Sequence, residues 1–349
     1  MAPIPSPDPL GLPVPPWILL TLKVFGFFLH MVFMNLWLAG LPTALVLHLL
    51  GSPVGGRLFR AMPFFMAFGI NAGIVPLLFI QTLYPQFFYP ATILQAWFWF
   101  IVIPLLIVAY YAVYLAAFGR WPVAASIVAT VLLTWISLIF SAALTLTARP
   151  EKWSDIFLAT ASAGAVHGRY FYWDAEVLRR FGLMAGMAFG TVGAFLVLDA
   201  EGFRRGTDDR PTIRRIVPVL YVIGGLIYGL AGLGYAPTVM DKLPRALWLL
   251  AGGSLPLTVL LALAYARWPG LWTGGAVLAG QALVLGSNAV ARQVVQFQEL
   301  RPWVDLEDVP VRGEWGSFWL FVVTLVLGVG VLFWIARVVV RAQAGGSRT

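Results

Sequence analysis

Long apolar stretches recur along this chain, and they constrain its fold more than any other feature. A bilayer hydrocarbon core about 30 Å thick is crossed by about 20 apolar residues in an α-helix. Apolar residues make up 60% of the 349 residues and charged residues only 11%, which is too little polar surface for a soluble protein of this size. We therefore expect an all-α, polytopic integral membrane bundle with about nine transmembrane helices.

Nine segments are long and apolar enough to be these helices, and we number them in chain order. They are residues 16–50, 61–83, 91–118, 122–146, 178–198, 213–233, 245–266, 271–294 and 317–341. The first is too long for one upright span, and Pro42 is expected to kink it. Outside the bundle of residues 17–341 we expect a proline-rich N-terminal lead over 1–16 and a flexible tail over 342–349.

The distribution of charge indicates how the bundle is oriented. Alternating crossings place the N-terminus and the longest polar stretches, residues 147–177 and 295–316, on one side, with 11 of the 15 acidic residues. The short stretches on the other side carry arginines and few acids, as at Arg57 and Arg60. Because basic loops stay in the cytoplasm, we expect a multi-pass protein of the cell inner (cytoplasmic) membrane, with an outer N-terminus and a cytoplasmic C-terminus.

The absence of cysteine limits the cofactors that this chain can hold. Without a thiol it contains no disulfide, no iron–sulfur cluster, no cysteine-bound zinc and no c-type haem. The net charge of +8 is interpreted as a topology signal rather than as a sign of nucleic-acid binding. Lipid is then the first partner, and no nucleic acid is expected.

Histidines are the candidate metal ligands. His30 lies well inside the first segment among apolar residues, where a neutral imidazole needs a backbone carbonyl, a polar side chain or a metal as its partner. Two roles remain open for His30, that of a metal ligand and that of a hydrogen-bonded packing residue. His48 follows 18 residues later, about 27 Å along a helix, so the two cannot share one haem. His167, in the long loop, could either reach over a cofactor or be solvated.

A dense polar group follows the eighth segment. Arg292, Gln296, Glu299 and Arg301 stand within ten residues at the end of an apolar span. Such a group suits a quinone head, a haem propionate or a contact with a partner subunit, and it also suits a membrane border where long side chains reach toward water. We treat all four residues as candidate cofactor-binding residues.

The order of these features resembles subunit I of the cytochrome bd oxygen reductases, in a divergent and shortened form. The resemblance rests on the string His30-Met-Val-Phe-Met-Asn-Leu-Trp-Leu-Ala-Gly40, on Phe68-Gly-Ile-Asn-Ala-Gly73, on Trp135, on Thr147-Ala-Arg-Pro150 and on Pro302-Trp303. Family members have nine helices, an outer N-terminus and an early histidine that binds haem. The resemblance therefore implies that His30 is a haem b ligand.

Departures from the family pattern restrict what the resemblance implies. The position of the family's second haem histidine falls at residues 180–182, which contain no histidine. The family's third helix has two carboxylates; the position of the first falls on or near Gln95, and that of the second falls in residues 99–104, which contain no Asp or Glu. Residues 247–252 contain no methionine for a haem, and the quinol-binding loop is reduced to about residues 234–244. Only His30 is carried over, so the chain is not expected to be a complete oxygen reductase alone.

The leading hypothesis is a membrane subunit of a respiratory-type electron-transfer complex. It would hold one b-type haem or none, and would work with other subunits, such as c-type cytochromes on the outer face, with quinol as an electron source. The first alternative is a cofactor-free structural anchor of such a complex. The second is a transporter of a small solute, for which the segments offer few charges.

Overall fold

Long helices account for most of the chain. A computed structural model describes residues 4–166, 171–203 and 209–345. The helices are α1 (Pro16–Leu38), α2 (Gly40–Leu49), α3 (Pro53–Leu83), α4 (Pro85–Gln95), α5 (Trp97–Phe100), α6 (Val102–Ala117), α7 (Pro122–Thr147), α8 (Trp153–Thr160), α9 (Ala175–Leu198), α10 (Arg210–Val239), α11 (Arg245–Arg267), α12 (Leu271–Leu300) and α13 (Trp315–Gly345). The strands β1 (Ala161–Ser162) and β2 (Ala165–Val166) form a small hairpin between α8 and α9.

The predicted all-α membrane bundle is confirmed. Within the described residues, eight helices are long and apolar enough to cross a membrane, with α1 and α2 counting as one span. Many of their large apolar side chains are exposed, including Phe25, Ile103, Leu226 and Leu260. Lipid is the medium that such surfaces require, since the backbone polar groups are satisfied within the helices.

The ninth predicted segment is also a helix, but it packs differently from the others. Only Phe318, Val322 and Leu325 of α13 are partly buried along its apolar part, Trp315–Val331. A ring contact of 6.1 Å between Phe79 and Phe321 joins it to α3. The helix continues through Gly345, so part of the expected tail is helical, and residues 346–349 lie outside the described residues.

Two of the predicted segments are interrupted. The first breaks at Ala39, as the proline predicts, because Pro42 has no N–H for the carbonyl of Leu38. The third was expected as one helix over residues 91–118 and is instead α4, α5 and α6, with breaks at Ala96 and Ile101. Pro104 cannot bond the carbonyl of Phe100, which accounts for the second break. Ala96 has a φ of +40°, which no local residue explains.

Several helices extend beyond their predicted bounds, and two of these extensions matter for function. α12 continues to Leu300, so Gln296 and Glu299 lie on a helix rather than in a loop. α9 begins at Ala175, because the side chain of Asp174 accepts a hydrogen bond of 3.1 Å from the N–H of Glu176. Glu176 therefore projects from the first turn of a helix.

Glycines allow α1 and α3 to approach each other closely. A Cβ added at Gly26 of α1 would lie 2.8 Å from Cγ1 of Val75 on α3. A Cβ at Gly69 would lie 3.1 Å from Nε1 of Trp37, and one at Gly73 would lie 2.7 Å from Nδ1 of His30. The contact between these helices is therefore too tight for any side chain at Gly73.

The small face of α9, formed by Gly182, Gly186 and Gly190, packs against neighbouring helices as its four-residue spacing predicts. A Cβ on Gly186 would lie 2.7 Å from the carbonyl oxygen of Gly224 on α10. The reverse contact, from Gly224 to the carbonyl oxygen of Gly186, would be 2.5 Å. The two backbones touch directly at this pair.

The N-terminal lead crosses the last long loop. Leu12 pairs with Val311 in a parallel bridge, and the N–H of Leu12 donates to the carbonyl oxygen of Pro310 at 2.8 Å. The N–H of Arg312 returns a bond of 2.9 Å to the carbonyl oxygen of Leu12. The start of α1 and the segment between α12 and α13 therefore lie on the same side of the bundle.

Gly186→Leu should destabilise the protein, because its side chain would force apart two helix backbones that are in contact. Overpacking of this kind costs about 3 kcal/mol, near the upper end for buried sites. Thermal unfolding in mild detergent measures the loss. Gly229→Leu is the matched control, since Gly229 lies on α10 with no atom within 4 Å of an added Cβ. Equal melting of both variants would show that the α9–α10 contact is looser than described.

Candidate functional site

Charged and amide side chains from five parts of the chain meet where α1 begins and α12 ends. We name this group the border cluster. Its members are Lys23, Arg149, Glu176, Arg180, Lys242, Arg292, Gln296 and Glu299. In the low-dielectric border of a membrane such charges are costly, so their arrangement is informative.

Glu299 is the centre of the border cluster. Its side chain is 1% exposed, and one oxygen, Oε1, lies 2.9 Å from Nη2 of Arg149 and 3.1 Å from Nζ of Lys242. The other oxygen, Oε2, lies 3.9 Å from Nη2 of Arg180. One carboxylate therefore joins α12 to the segment after α7, to the α10–α11 connection and to α9.

Glu176 supplies the second carboxylate. It lies 2.8 Å from Nη2 of Arg149 and 3.5 Å from Nη1 of Arg180, so both arginines are shared between the two acids. Burial acts to lower the pKa of Arg149, but the charges of Glu299 and Glu176 together outweigh it and raise the pKa above its usual value. Arg149 is therefore held as a cation.

Lys23 is a member of the border cluster that the sequence analysis missed. It projects from α1, is 2% exposed, and donates a short hydrogen bond to Oε1 of Gln296. Its ammonium lies 5.5 Å from the ring centroid of Tyr84. The rule that identified His30, an ionisable group inside an apolar segment, applies equally to Lys23 and would have found it.

Arg292 lies deeper in the bundle, one helical turn below Gln296. Its guanidinium stacks on the ring of Phe27 at 4.1 Å from the centroid, a close cation–π contact. It is also near enough to Lys23, His30 and Arg180 to interact with each electrostatically. Arg292 therefore links the border cluster to His30.

Arg301 does not join the other three residues of the predicted polar group. Its side chain is 59% exposed, and its Nε lies 4.0 Å from Asp305, one turn along the chain. Arg301 lies apart from the other three because it follows the last residue of α12. Arg292, Gln296 and Glu299 share one face of α12 at spacings of four and three residues.

His30 has a backbone partner. Its Nδ1 lies 2.8 Å from the carbonyl oxygen of Gly69 on α3, and Gly73 leaves room for the ring. Because a carbonyl oxygen only accepts, Nδ1 carries the proton and Nε2 keeps its lone pair. A histidine that ligates a metal is usually oriented in this way, with its other N–H bonded to a carbonyl.

His30 therefore fits a histidine that would hold the iron of a haem through Nε2. Among the described residues, no group of three or more His, Cys, Asp or Glu is arranged to hold a metal ion. His48 contacts Phe59 edge-on at 5.7 Å near the opposite end of the bundle. His167 lies outside the described residues. Arg180, in the place of the family's second haem histidine, is in the border cluster.

Amide side chains deeper in the bundle bond to one another across helices. Nδ2 of Asn35 donates to Oγ1 of Thr191 at 3.0 Å, and Nε2 of Gln281 reaches the same oxygen at 3.0 Å. The hydroxyl of Tyr221 donates to Oε1 of Gln281 at 3.1 Å. This network joins α1, α9, α10 and α12, which is a structural role.

An open cleft of about 360 Å³ lies at the other end of the bundle. Arg57, Arg60, Phe195 and Asp199 are among its lining residues. Arg57 is paired with Asp199 at 3.2 Å and also with Asp209. The cleft is therefore separate from His30 and from the border cluster.

Neither the known protein-family models nor the sequences of curated proteins match this chain.

Glu299→Gln should destabilise the chain strongly, because Arg149, Lys242 and Arg180 would lose the charge that they share. Removing one partner of a buried ion pair costs about 3–5 kcal/mol. Thermal unfolding in detergent measures this loss. Glu307→Gln removes an exposed carboxylate a few residues beyond α12 and should leave the melting temperature unchanged. Similar melting of the two variants would contradict the central role of Glu299.

Proposed function

We propose that this chain is a membrane subunit of an electron-transfer complex and that it binds one b-type haem through His30. The orientation of the imidazole carries the proposal: Gly69 accepts the Nδ1 proton, so Nε2 is available to iron. The resemblance to subunit I of the cytochrome bd oxygen reductases points to the same residue. A b-type haem would supply one-electron exchange at this position.

The surrounding residues suit that role. Gly73 leaves the space that the imidazole needs, and the carbonyl of Gly69 fixes the ring and its tautomer. The positive charge of Arg292 is near enough to the imidazole of His30 to interact with it electrostatically. A fixed cation in a low-dielectric site favours an added electron nearby, so Arg292 would stabilise the reduced state.

The proposal includes partners, since one histidine does not complete a low-spin haem site. Other subunits of the complex would supply what this chain lacks, with quinol in the membrane as the electron source and a c-type cytochrome as the acceptor. Exposed carboxylates beyond α12, at Glu307, Asp308 and Glu314, favour an acceptor with a basic surface. In this proposal the protein lies in the inner (cytoplasmic) membrane. The border cluster is on the outer side of that membrane, and α13 ends in the cytoplasm.

A cofactor-free structural anchor of the same kind of complex is the second candidate. The bond between His30 and Gly69 favours it, because the imidazole is then partly satisfied without any metal. The two candidates differ in one observable property, which is haem retention.

His30→Ala should remove the b-type absorbance from the protein purified in mild detergent from a haem-producing host. The wild type should show close to one haem per chain in a pyridine haemochrome assay, because one imidazole supplies the iron ligand. His48→Ala is the matched control: it removes a histidine from the same long span near the opposite border and should keep the full absorbance. Wild-type protein without haem would leave the anchor as the function, and His30→Ala protein that keeps the haem would show that His30 is not its ligand.

A further inference from the structure

The border cluster carries more positive charge than its own carboxylates balance. Its cations are Lys23, Arg149, Arg180, Lys242 and Arg292. Its carboxylates are Glu176 and Glu299. Even without Lys23, four cations against two acids leave a net charge of +2, at a depth where an unbalanced charge is poorly solvated.

The imbalance is greatest at Arg292. A guanidinium keeps its proton in proteins, so Arg292 cannot relieve the problem by becoming neutral. In the described part of the chain no carboxylate lies within 4.0 Å of it. Its electrostatic neighbours include the cations Lys23 and Arg180, and its close contact is the face of Phe27.

Hydrogen-bond donors beside Arg292 also have no acceptor. Nε2 of Gln293 is buried and has no hydrogen-bond partner within the described ranges, and Nη1 of Arg180 forms no hydrogen bond there, although it lies 3.5 Å from the carboxylate of Glu176. Gln293 is 8% exposed and neighbours Gln296 on the surface of α12. Free donors next to unbalanced cations require a ligand that has negative charge and several acceptor oxygens.

The depth of the site indicates where such a ligand would come from. Arg292 precedes the end of α12 by eight residues, about 12 Å, and the whole helix is about 45 Å long. Centred on a hydrocarbon core of about 30 Å, α12 would place Arg292 about 5 Å inside the border. Arg292 keeps part of its surface exposed, whereas Lys23 is buried beside it. Phospholipid phosphates lie just outside this border, and they are the nearest source of such a ligand to a partly exposed arginine at this depth.

We propose that Arg292, Lys23 and Arg180 bind the phosphate group of an anionic phospholipid. Arginine offers paired donors to phosphate oxygens, and lysine adds a point charge. Binding of one phosphate lowers the excess positive charge and gives acceptors to the donors of Arg180 and Gln293. The site does not depend on haem at His30, since none of these groups is an iron ligand in the proposed function.

Retention of lipid by the purified full chain tests this site. After detergent delipidation, the protein is titrated with dimyristoyl phosphatidylglycerol or with zwitterionic dimyristoyl phosphatidylcholine, and bound lipid is counted by native mass spectrometry. The wild type should retain one phosphatidylglycerol in preference to phosphatidylcholine. Arg292→Gln should weaken that binding about tenfold, the loss expected for a charge-assisted hydrogen bond.

The matched control is Arg301→Gln, which removes an exposed arginine at the same end of α12. It should bind phosphatidylglycerol like the wild type, and so should His30→Ala, whatever its haem content. If Arg292→Gln cannot be purified, Arg292→Lys keeps the charge, loses the paired donors and should weaken binding several-fold. Equal binding of the two lipids by the wild type, or equal losses in the Arg292 and Arg301 variants, would overturn the proposal.

A second arm separates lipid phosphate from free phosphate. Inorganic phosphate at millimolar concentration should neither displace the bound phosphatidylglycerol nor raise the melting temperature as the lipid does. If it does both, the lipid assignment is overturned, and the site takes a soluble phosphate. Loss of haem from Arg292→Gln with unchanged lipid retention would also overturn the proposal, since the missing anion would then be a haem carboxylate.

Discussion

Close contact between the backbones of α1 and α3 decides the chemistry that His30 can perform. Gly73 has no side chain, so the imidazole fits against α3, and the carbonyl of Gly69 takes its proton at 2.8 Å. In a bilayer no water competes for that bond, which strengthens the preference for one tautomer. The orientation of Nε2, the packing of the two helices and the proposed haem site all depend on this one contact.

The border cluster imposes a second constraint, because buried charges must be arranged as a whole. Glu299 holds three cations from separate parts of the chain, and Glu176 shares two of them. The same arrangement leaves Arg292 without a counter-ion beside His30. A positive potential near the imidazole would favour electrons on that side, and it would also attract the phosphate of a lipid. The two proposals use the same field, and Arg292 contributes to both.

Hydropathy and helix length predicted the architecture well, since both depend on the bilayer and not on tertiary contacts. The small face of α9 was also visible as spacing alone. By contrast, the partners of Glu299 come from positions more than 50 residues away in sequence, and no local pattern identifies them. Asn71 shows that polarity alone does not predict burial: it lies in an apolar segment, but it is exposed, and its amide donates to the carbonyl of Ala67 on its own helix.

Iron ligation by His30 is the claim on which the functional account rests most directly. Pulsed electron paramagnetic resonance of the oxidised protein, purified with ¹⁵N-labelled histidine, measures it through the nitrogen hyperfine coupling at iron. We expect a ferric haem signal with a coupling from one histidine nitrogen of this chain, and the coupling should be retained when His48 is replaced. A ferric haem with no ¹⁵N coupling, or a protein with no ferric haem at all, would contradict the account.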